Sequence, residues 1–135
     1  MVKKTKRSFK WVKKQTKKDR NHQYAGVHLI AEFWHGRIIE DQEQIKKILI
    51  AAVKASKSTP LQTVIHQFSP QGLTGVVLLA ESHIAIHAWP EVNYLAIDIF
   101  TCGQKAMPDQ ALDYFKKIFQ PEKYTVKKIN RGRLK

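Results

Sequence analysis

The sequence predicts an α/β fold of the α+β type, a two-layer sandwich in which a mainly antiparallel sheet carries two helices on one face. Six short segments have the composition or alternation of strands, and two carry an apolar stripe at helical spacing. The predicted order is β-α-β-β followed by β-β-α-β, two similar halves that meet near residue 81. The 135 residues fit a single domain whose modest core would be helped by oligomerisation.

The first half of this pattern runs from residue 27 to residue 80. Residues 27–33 alternate with period two and predict a strand, and residues 61–68 and 74–80 predict two strands joined by a turn at Ser69-Pro70-Gln71-Gly72. A helix precedes this hairpin and ends in the run before Pro60, because its stripe recurs at i, i+3, i+4, i+7 and i+8 in Ile45, Ile48, Leu49, Ala52 and Val53. Acidic residues stand where the N-terminal helix dipole favours them: Glu40, Asp41 and Glu43.

The second half mirrors the first. Residues 83–89 and 94–100 predict strands, and on the first of these His83, Ala85, His87 and Trp89 share one face. Pro108 suits the first turn of a helix, which Pro121 ends. The apolar stripe of that helix comprises Ala111, Leu112, Phe115, Ile118 and Phe119. A last strand is predicted over residues 124–129.

Charge divides the chain into a tail and a domain. Residues 1–20 hold ten Lys or Arg and one Asp, a net charge of +9 out of +13, so the remaining residues carry +4. A run of like charges with few apolar residues predicts a disordered tail over residues 1–22 and a folded domain over 23–135. The tail suits weak contact with RNA or another polyanion, which leaves a nucleic-acid-binding protein as one functional alternative, or it is a solubilising extension without a specific role.

The remaining composition predicts a cytoplasmic protein. No apolar run reaches the ~18 residues of a membrane span, and the basic start lacks the apolar segment of a secretory signal. The single cysteine, Cys102, has no intramolecular partner for a disulfide, which agrees with a reducing compartment.

Three polar residues, Glu81, Ser82 and His83, interrupt the centre of the apolar stretch 74–100. Polar groups tolerate burial poorly unless they are paired. They indicate either a tight turn between two strands or a reactive site. The nearby pair His83 and His87 is weak evidence for a metal without a third ligand, so no metal is predicted.

Sequence motifs around this interruption carry a resemblance. Glu81-Ser82-His83, then His87-Ala88-Trp89-Pro90-Glu91, then Phe100-Thr101-Cys102-Gly103, resemble the prokaryotic-type S-adenosylmethionine decarboxylase proenzymes, which depend on a pyruvoyl group. YAGVHLIAEF at 24–33 and TVIHQFSPQGLTG at 63–75 extend the resemblance to roughly residues 24–133.

The resemblance implies self-cleavage between Glu81 and Ser82. The Ser82 hydroxyl would attack the preceding carbonyl, and elimination would leave Ser82 as a pyruvoyl group whose ketone forms a Schiff base with the substrate amine. The implied roles are proton transfer in processing for His87, proton donation after decarboxylation for Cys102 and support of processing for Thr74, where the family usually has Ser. From the residues alone, His87 and Cys102 also fit ordinary core positions.

The resemblance also implies the substrate, S-adenosylmethionine, whose decarboxylated product donates aminopropyl groups in spermidine biosynthesis. Phe68 and Trp89 would stack on the adenine and sulfonium, and Glu91 would accept hydrogen bonds from the ribose. The chain departs from the common motif at Ala88, where Thr is usual, and at Val92-Asn93, where Tyr-Gly is usual. Some members of the superfamily act on ornithine or arginine, so a basic amino acid remains the alternative. A homodimer of cleaved protomers is the implied assembly.

Overall fold

The computed structural model describes residues 24–103 and 105–134, which form six strands and two long helices. The predicted tail, residues 1–22, lies outside the described residues. The predicted element order is confirmed, and the elements are β1 Tyr24–Trp34, α1 Gln42–Ala55, β2 Pro60–Gln67, β3 Leu73–Leu79, β4 Ser82–Trp89, β5 Tyr94–Cys102, α2 Pro108–Phe119 and β6 Lys123–Arg133. A 3₁₀ turn, Pro90–Val92, links β4 to β5.

The helices begin and end where their sequence signals stand. Asp41 caps α1 because its Oδ2 accepts a hydrogen bond from the backbone N–H of Gln44 at 2.9 Å. Pro108 occupies the first turn of α2, and Gln120 ends that helix in a left-handed conformation, with φ of 47°. Neither helix is long or apolar enough to cross a membrane, in the part of the chain that the structure describes.

All six strands form one sheet in the order β2-β3-β4-β5-β1-β6, and each neighbouring pair is antiparallel. Both helices cover one face of this sheet and share a single apolar core with it. Contact between the layers is close at Gly75, where an added Cβ would lie 2.9 Å from Leu49 Cδ1. The predicted two-layer α+β sandwich is therefore confirmed.

The opposite face of the sheet, here called the open face, carries most of the unusual polar residues. Alternation along each strand sends the core residues towards the helices and their neighbours towards this face. On β4 the predicted split is confirmed: Ile84 and Ile86 are fully buried in the core, whereas His83 and His87 lie on the open face. The open face also receives His28 and Glu32 from β1 and Asp98, Phe100 and Cys102 from β5.

Candidate active site

The first part of the site is a tight hairpin at one end of the open face, called here the cleavage end and made of Glu81, Ser82, His83 and Cys102. Ala80 and Glu81 connect β3 to β4, and Leu79 pairs with Ser82 across the hairpin. Ser82 has a φ of 140°, a region that side chains rarely adopt. Such backbone costs about 1–3 kcal/mol and persists only where the surrounding structure holds it.

Two donors hold the carbonyl oxygen of Glu81. The backbone N–H of Cys102 donates to it at 3.0 Å, and Cys102 Sγ donates at 3.2 Å. The β4–β5 register explains this position, because Ser82 pairs with Thr101 and so brings the next residue beside the hairpin. Two donors on one carbonyl oxygen form the arrangement that stabilises an oxyanion when a nucleophile adds to the carbonyl carbon.

Gly26 allows β1 to approach this corner of the sheet. It pairs with Cys102, and a Cβ added at Gly26 would lie 2.7 Å from the carbonyl oxygen of Thr101 and 3.3 Å from Cys102 Cβ. Any larger residue would push β1 away from β5 at the point where Cys102 meets Glu81. A small residue is therefore required there.

The Glu81 side chain is fixed separately from its carbonyl. Its carboxylate accepts hydrogen bonds from Thr59, one from the backbone N–H at 2.9 Å and one from Oγ1 at 3.1 Å. Thr59 stands just before β2, far from Glu81 in sequence, and no pattern in the sequence points to this contact. The two bonds restrain the residue on the acyl side of the bond between Glu81 and Ser82.

The Cys102 thiol is half-buried. Burial raises its pKa above the ordinary value, and the negative charge of Glu81 raises it further. At neutral pH Cys102 is therefore a protonated thiol. A neutral thiol can donate a hydrogen bond to the Glu81 carbonyl oxygen and can also supply a proton.

On the other side of the bond, the Ser82 hydroxyl lies 3.2 Å from Nδ1 of His83. The His83 ring packs edge-on against Phe100 at 5.9 Å between centroids and against His28 at 6.5 Å. Burial lowers the pKa of His83, the neighbouring His28 lowers it further, and Asp98 acts in the opposite direction. The sequence indicated His83 only as part of the motif and as a weak metal candidate, and it did not predict the contact of His83 with Ser82.

The second part of the site lies at the other end of the open face, called here the aromatic end and made of Thr74, His87, Trp89, Tyr94 and Phe68. Thr74 and His87 are direct partners across β3 and β4, and Thr74 Oγ1 lies 3.3 Å from His87 Nδ1. Because Thr74 occupies Nδ1, Nε2 is the nitrogen through which His87 can act on a reacting group. The hydroxyl that Thr shares with Ser is thus placed against His87.

Aromatic rings continue from His87 along this end. Trp89 stacks on Tyr94 at 5.3 Å between centroids, and Tyr94 stacks on Trp34 at 4.3 Å. The Tyr94 hydroxyl donates a hydrogen bond to Glu32, and burial together with that bond raises the pKa of Tyr94 to about 12. The stack fixes one side of Trp89.

The residues to which the resemblance assigns substrate binding are exposed to solvent. Phe68 is 51% exposed and Trp89 is 44% exposed. Glu91 is exposed on the 3₁₀ turn that follows Trp89. Large exposed aromatics beside an exposed carboxylate are the surface that a nucleoside can stack on and bond to.

Two of the departures from the common motif, at Ala88 and Asn93, have structural explanations, whereas the third, the exposed Val92 on the 3₁₀ turn, has none. Ala88 lies on the helix-facing side of β4 with Ile84 and Ile86, and packs against the core rather than on the open face. Asn93 adopts a left-handed conformation with φ of 51°, which Gly favours and Asn tolerates better than most residues. Neither of these two substitutions removes a side chain from the open face.

The structure does not bring the two ends together within one chain. Ser82 and His87 are five residues apart on β4, or about 16 Å, and Ser82 and Trp89 are about 23 Å apart at the rise of a strand. Glu81, Ser82 and Cys102 thus form one cluster, and Thr74 and His87 form another. His83 and His87 lie about 13 Å apart by the same rise, too far to share a metal, and the described residues contain no group of three or more His, Cys, Asp or Glu placed to hold one.

Comparison with known proteins identifies the class to which this fold and site belong. A family model described as S-adenosylmethionine decarboxylase matches residues 27–132. The chain belongs to this family, and the resemblance stated from the motifs is confirmed.

Individual relatives agree. An S-adenosylmethionine decarboxylase proenzyme of Methanococcus maripaludis is 46% identical over 109 residues, covering 79% of this chain and 89% of the relative. One of Thermoplasma volcanium is 40% identical over 111 residues, covering 81% and 85%. The crystal structure of adenosylmethionine decarboxylase from Aquifex aeolicus superposes with a TM-score of 0.76 at 36% identity, covering 82% of this chain and 92% of that one.

Proposed function

We propose that this chain cleaves itself between Glu81 and Ser82 and then decarboxylates S-adenosylmethionine with a pyruvoyl group derived from Ser82. One observation carries the proposal: the carbonyl oxygen of Glu81 accepts two hydrogen bonds from Cys102, while the Ser82 hydroxyl stands on the other side of the same peptide bond. Family membership supplies the substrate class.

The first step is an acyl shift from nitrogen to oxygen. Ser82 Oγ forms a bond to the carbonyl carbon of Glu81, negative charge develops on the carbonyl oxygen, and the C–N bond breaks to leave an ester and a free amine. Preorganised donors at such an oxygen typically contribute about 10²–10³ in rate. Strain at Ser82 favours the same step, because breaking the amide releases the backbone from its unfavourable φ.

The second step removes the Cα proton of Ser82 and expels Glu81 as a carboxylate. The resulting dehydroalanine tautomerises to an imine, and water then releases ammonia and leaves a ketone. His87 is the group to move the proton, since a histidine ring can both accept and donate one and Thr74 fixes the direction of its ring. When formed, the pyruvoyl group supplies an electron-accepting carbonyl for the substrate amine.

The distance between the two ends supports a second copy of the chain as part of the site. His87 lies about 16 Å from Ser82 along the strand, so it cannot serve the Ser82 of its own chain. A two-fold dimer with open faces opposed would place the aromatic end of one protomer over the cleavage end of its partner. The homodimer therefore completes two identical sites, each built from both chains.

In such a site each end has its own task. Phe68 and Trp89 hold the adenine and sulfonium, Glu91 accepts from the ribose, and Cys102 returns a proton to the α-carbon after carbon dioxide leaves. The raised pKa of Cys102 keeps that proton available at neutral pH. The cytoplasmic location and the polyanion contact of the basic tail stay predictions.

Intact-mass measurement under denaturing conditions tests the processing step. The protein should resolve into chains of residues 1–81 and 82–135, the second with a blocked end that reacts with carbonyl reagents. Ser82→Ala should stay uncut because no hydroxyl is present, whereas Thr125→Ala, which removes an exposed hydroxyl on β6, should be cut as the unmodified chain is. A single uncut mass after long incubation would contradict the proposal.

A further inference from the structure

We propose that His83 carries the proton of the acyl shift, taking it from the Ser82 hydroxyl and delivering it to the departing amide nitrogen of Ser82. The inference rests on the proposed self-cleavage and adds a residue to it. His83 and His87 would then act in different steps, His83 in ester formation and His87 in elimination.

The backbone of Ser82 creates the contact that supports this role. Successive side chains on a strand point to opposite faces, so a regular residue at 82 would direct its hydroxyl away from His83. Instead, with φ of 140°, Ser82 has its Oγ 3.2 Å from His83 Nδ1. His87 lies about 16 Å further along the same strand.

The proton balance of the shift needs such a carrier. When Oγ attacks the Glu81 carbonyl, the hydroxyl loses one proton, and the amide nitrogen must gain one before the C–N bond breaks. The donor and the acceptor belong to the same residue, three bonds apart. One imidazole nitrogen beside Oγ can accept the proton and return it to nitrogen, so that no net proton is gained or lost.

The surroundings of His83 keep it neutral and oriented. Phe100 and His28 pack edge-on against the ring, and Leu78 is its partner on β3. The charged or titratable neighbours are His28 on β1, Asp98 on β5 and Arg131 on β6, whose guanidinium lies 4.6 Å from the Phe100 ring centroid.

Each of these groups bears on the proton transfer. Burial, His28 and Arg131 lower the pKa of His83, so at neutral pH Nδ1 can accept a proton. Asp98 acts in the opposite sense and stabilises the imidazolium while it exists. Asp98 is itself fixed by His28, whose Nε2 lies 3.1 Å from its carboxylate.

His83→Asn tests the role directly in the full-length protein. The Asn amide oxygen can still accept a hydrogen bond from Ser82 but cannot carry a proton. We expect cleavage of freshly purified protein to slow by about 100-fold or more, within the range for losing general acid–base catalysis. The matched control is His35→Asn. His35 is exposed and follows the last residue of β1, and Asn tolerates the left-handed backbone conformation found there. The His35→Asn variant should cleave at the unmodified rate.

Hydroxylamine separates the two steps, because it cleaves esters and leaves amides intact. Uncut His83→Asn should resist hydroxylamine, since the ester has not formed. Uncut His87→Ala should be cut by it at the bond between residues 81 and 82, since that chain forms the ester and stops there. An ester accumulating in His83→Asn would assign His83 to elimination and overturn the proposal.

Two further measurements guard against a structural effect of the substitution. Imidazole added to His83→Ala should restore cleavage at least in part, because the added ring can carry the proton that the missing side chain carried. The unmodified cleavage rate should fall only below the usual pKa of His, 6.5, because the pKa of His83 is lowered; His83→Asn should lack that fall. Normal cleavage by His83→Asn, while the unmodified protein cleaves, would refute the role of His83 and leave the proposed function standing.

Discussion

The cleavage end and the aromatic end of the open face are built by different means. At the cleavage end the main features belong to the backbone. They are the hydrogen bond from the Cys102 N–H to the Glu81 carbonyl and the positive φ of Ser82. At the aromatic end they are side chains that point the same way from neighbouring strands, such as Thr74, His87 and Trp89. In the proposed function, the cleavage end positions the bond that breaks and the aromatic end binds the substrate.

This difference is the reason for proposing that one chain alone does not complete the catalytic site. Backbone geometry restrains the hairpin tightly and places His83 Nδ1 3.2 Å from the Ser82 hydroxyl. The aromatic end has the second histidine and the stacking residues without any reactive bond. In the proposed dimer, two opposed open faces would let each end supply what the other lacks.

The largest expected effect comes from separating the two ends genetically. Ser82→Ala and His87→Ala should each fail to complete processing when expressed alone. Co-expressed, they should form mixed dimers in which the His87→Ala chain provides Ser82 and its partner provides His87. Random pairing predicts that about a quarter of all chains become cleaved, all of them His87→Ala chains.

Chain-specific tags make the outcome unambiguous in a denaturing mass spectrum. Co-expression of Ser82→Ala with Cys102→Ala should rescue no chain to normal turnover, because Cys102 belongs to the same end as Ser82. Cleaved His87→Ala chains in the absence of a partner with an intact His87 would show that the two ends act independently, and the composite site would be wrong.

A second effect separates the two uses of Cys102. Cys102→Ala should cleave more slowly, but the backbone N–H that donates to Glu81 remains. Turnover should fall much further, by about 10²–10⁴, because the proton donor to the α-carbon is gone. Single-turnover cleavage and steady-state carbon dioxide release, measured on the same preparation, give the two numbers.

Cys102→Ser serves as the matched control, since its hydroxyl restores the hydrogen bond to Glu81 but is a poorer acid than the thiol. It should recover cleavage without recovering turnover. In the unmodified protein, turnover should decline as pH rises through the pKa of the thiol, which is raised above 9.0, because the protonated form is the donor. Equal losses in both steps for Cys102→Ala would reduce Cys102 to one role.

The sequence predicted the aromatic end better than the cleavage end, because side-chain alternation is a local property and the backbone geometry of the hairpin is not. Period-two alternation placed His83 and His87 on one face and Ile84 and Ile86 on the other, since side-chain direction in a strand depends only on local order. The contact of Thr59 with Glu81 depends on how two hairpins align in space, which local order does not encode. The proximity of Ser82 and His83 depends on an unusual φ, which violates the alternation that sequence reasoning assumes.

The motif and the structure also lead to different conclusions about the residues that depart from the common family pattern. Ala88 and Asn93 depart from the common family pattern and, judged by sequence, left the substrate open. In the fold, Ala88 faces the core and Asn93 occupies a left-handed turn position. Both substitutions are therefore explained by backbone and packing, and the side chains on the open face keep the pattern that fits a nucleoside.

The smallest expected effect concerns the substrate contacts at the aromatic end. Glu91→Gln should weaken substrate binding by about 1–3 kcal/mol, the range for a hydrogen bond to a charged group. Trp89→Ala should weaken substrate binding at least as much, because Tyr94 stacks on one side of Trp89 and orients it to stack on the adenine ring. Methylthioadenosine should compete with substrate, and cleavage between Glu81 and Ser82 should be nearly unaffected, since Trp89 contributes no group to the acyl shift or to the elimination.

Carbon dioxide release from S-adenosylmethionine, ornithine, arginine and lysine at equal concentration decides whether the aromatic end selects a nucleoside. A basic amino acid offers no base to stack and no diol to bond, so it would gain from Trp89 only a cation–π contact of about 0.5–2 kcal/mol. Turnover confined to a free amino acid, with no competition by methylthioadenosine, would refute the nucleoside role of Phe68, Trp89 and Glu91. It would leave the proposed self-cleavage intact, because the bond between Glu81 and Ser82 belongs to the chain itself and its cleavage needs no substrate.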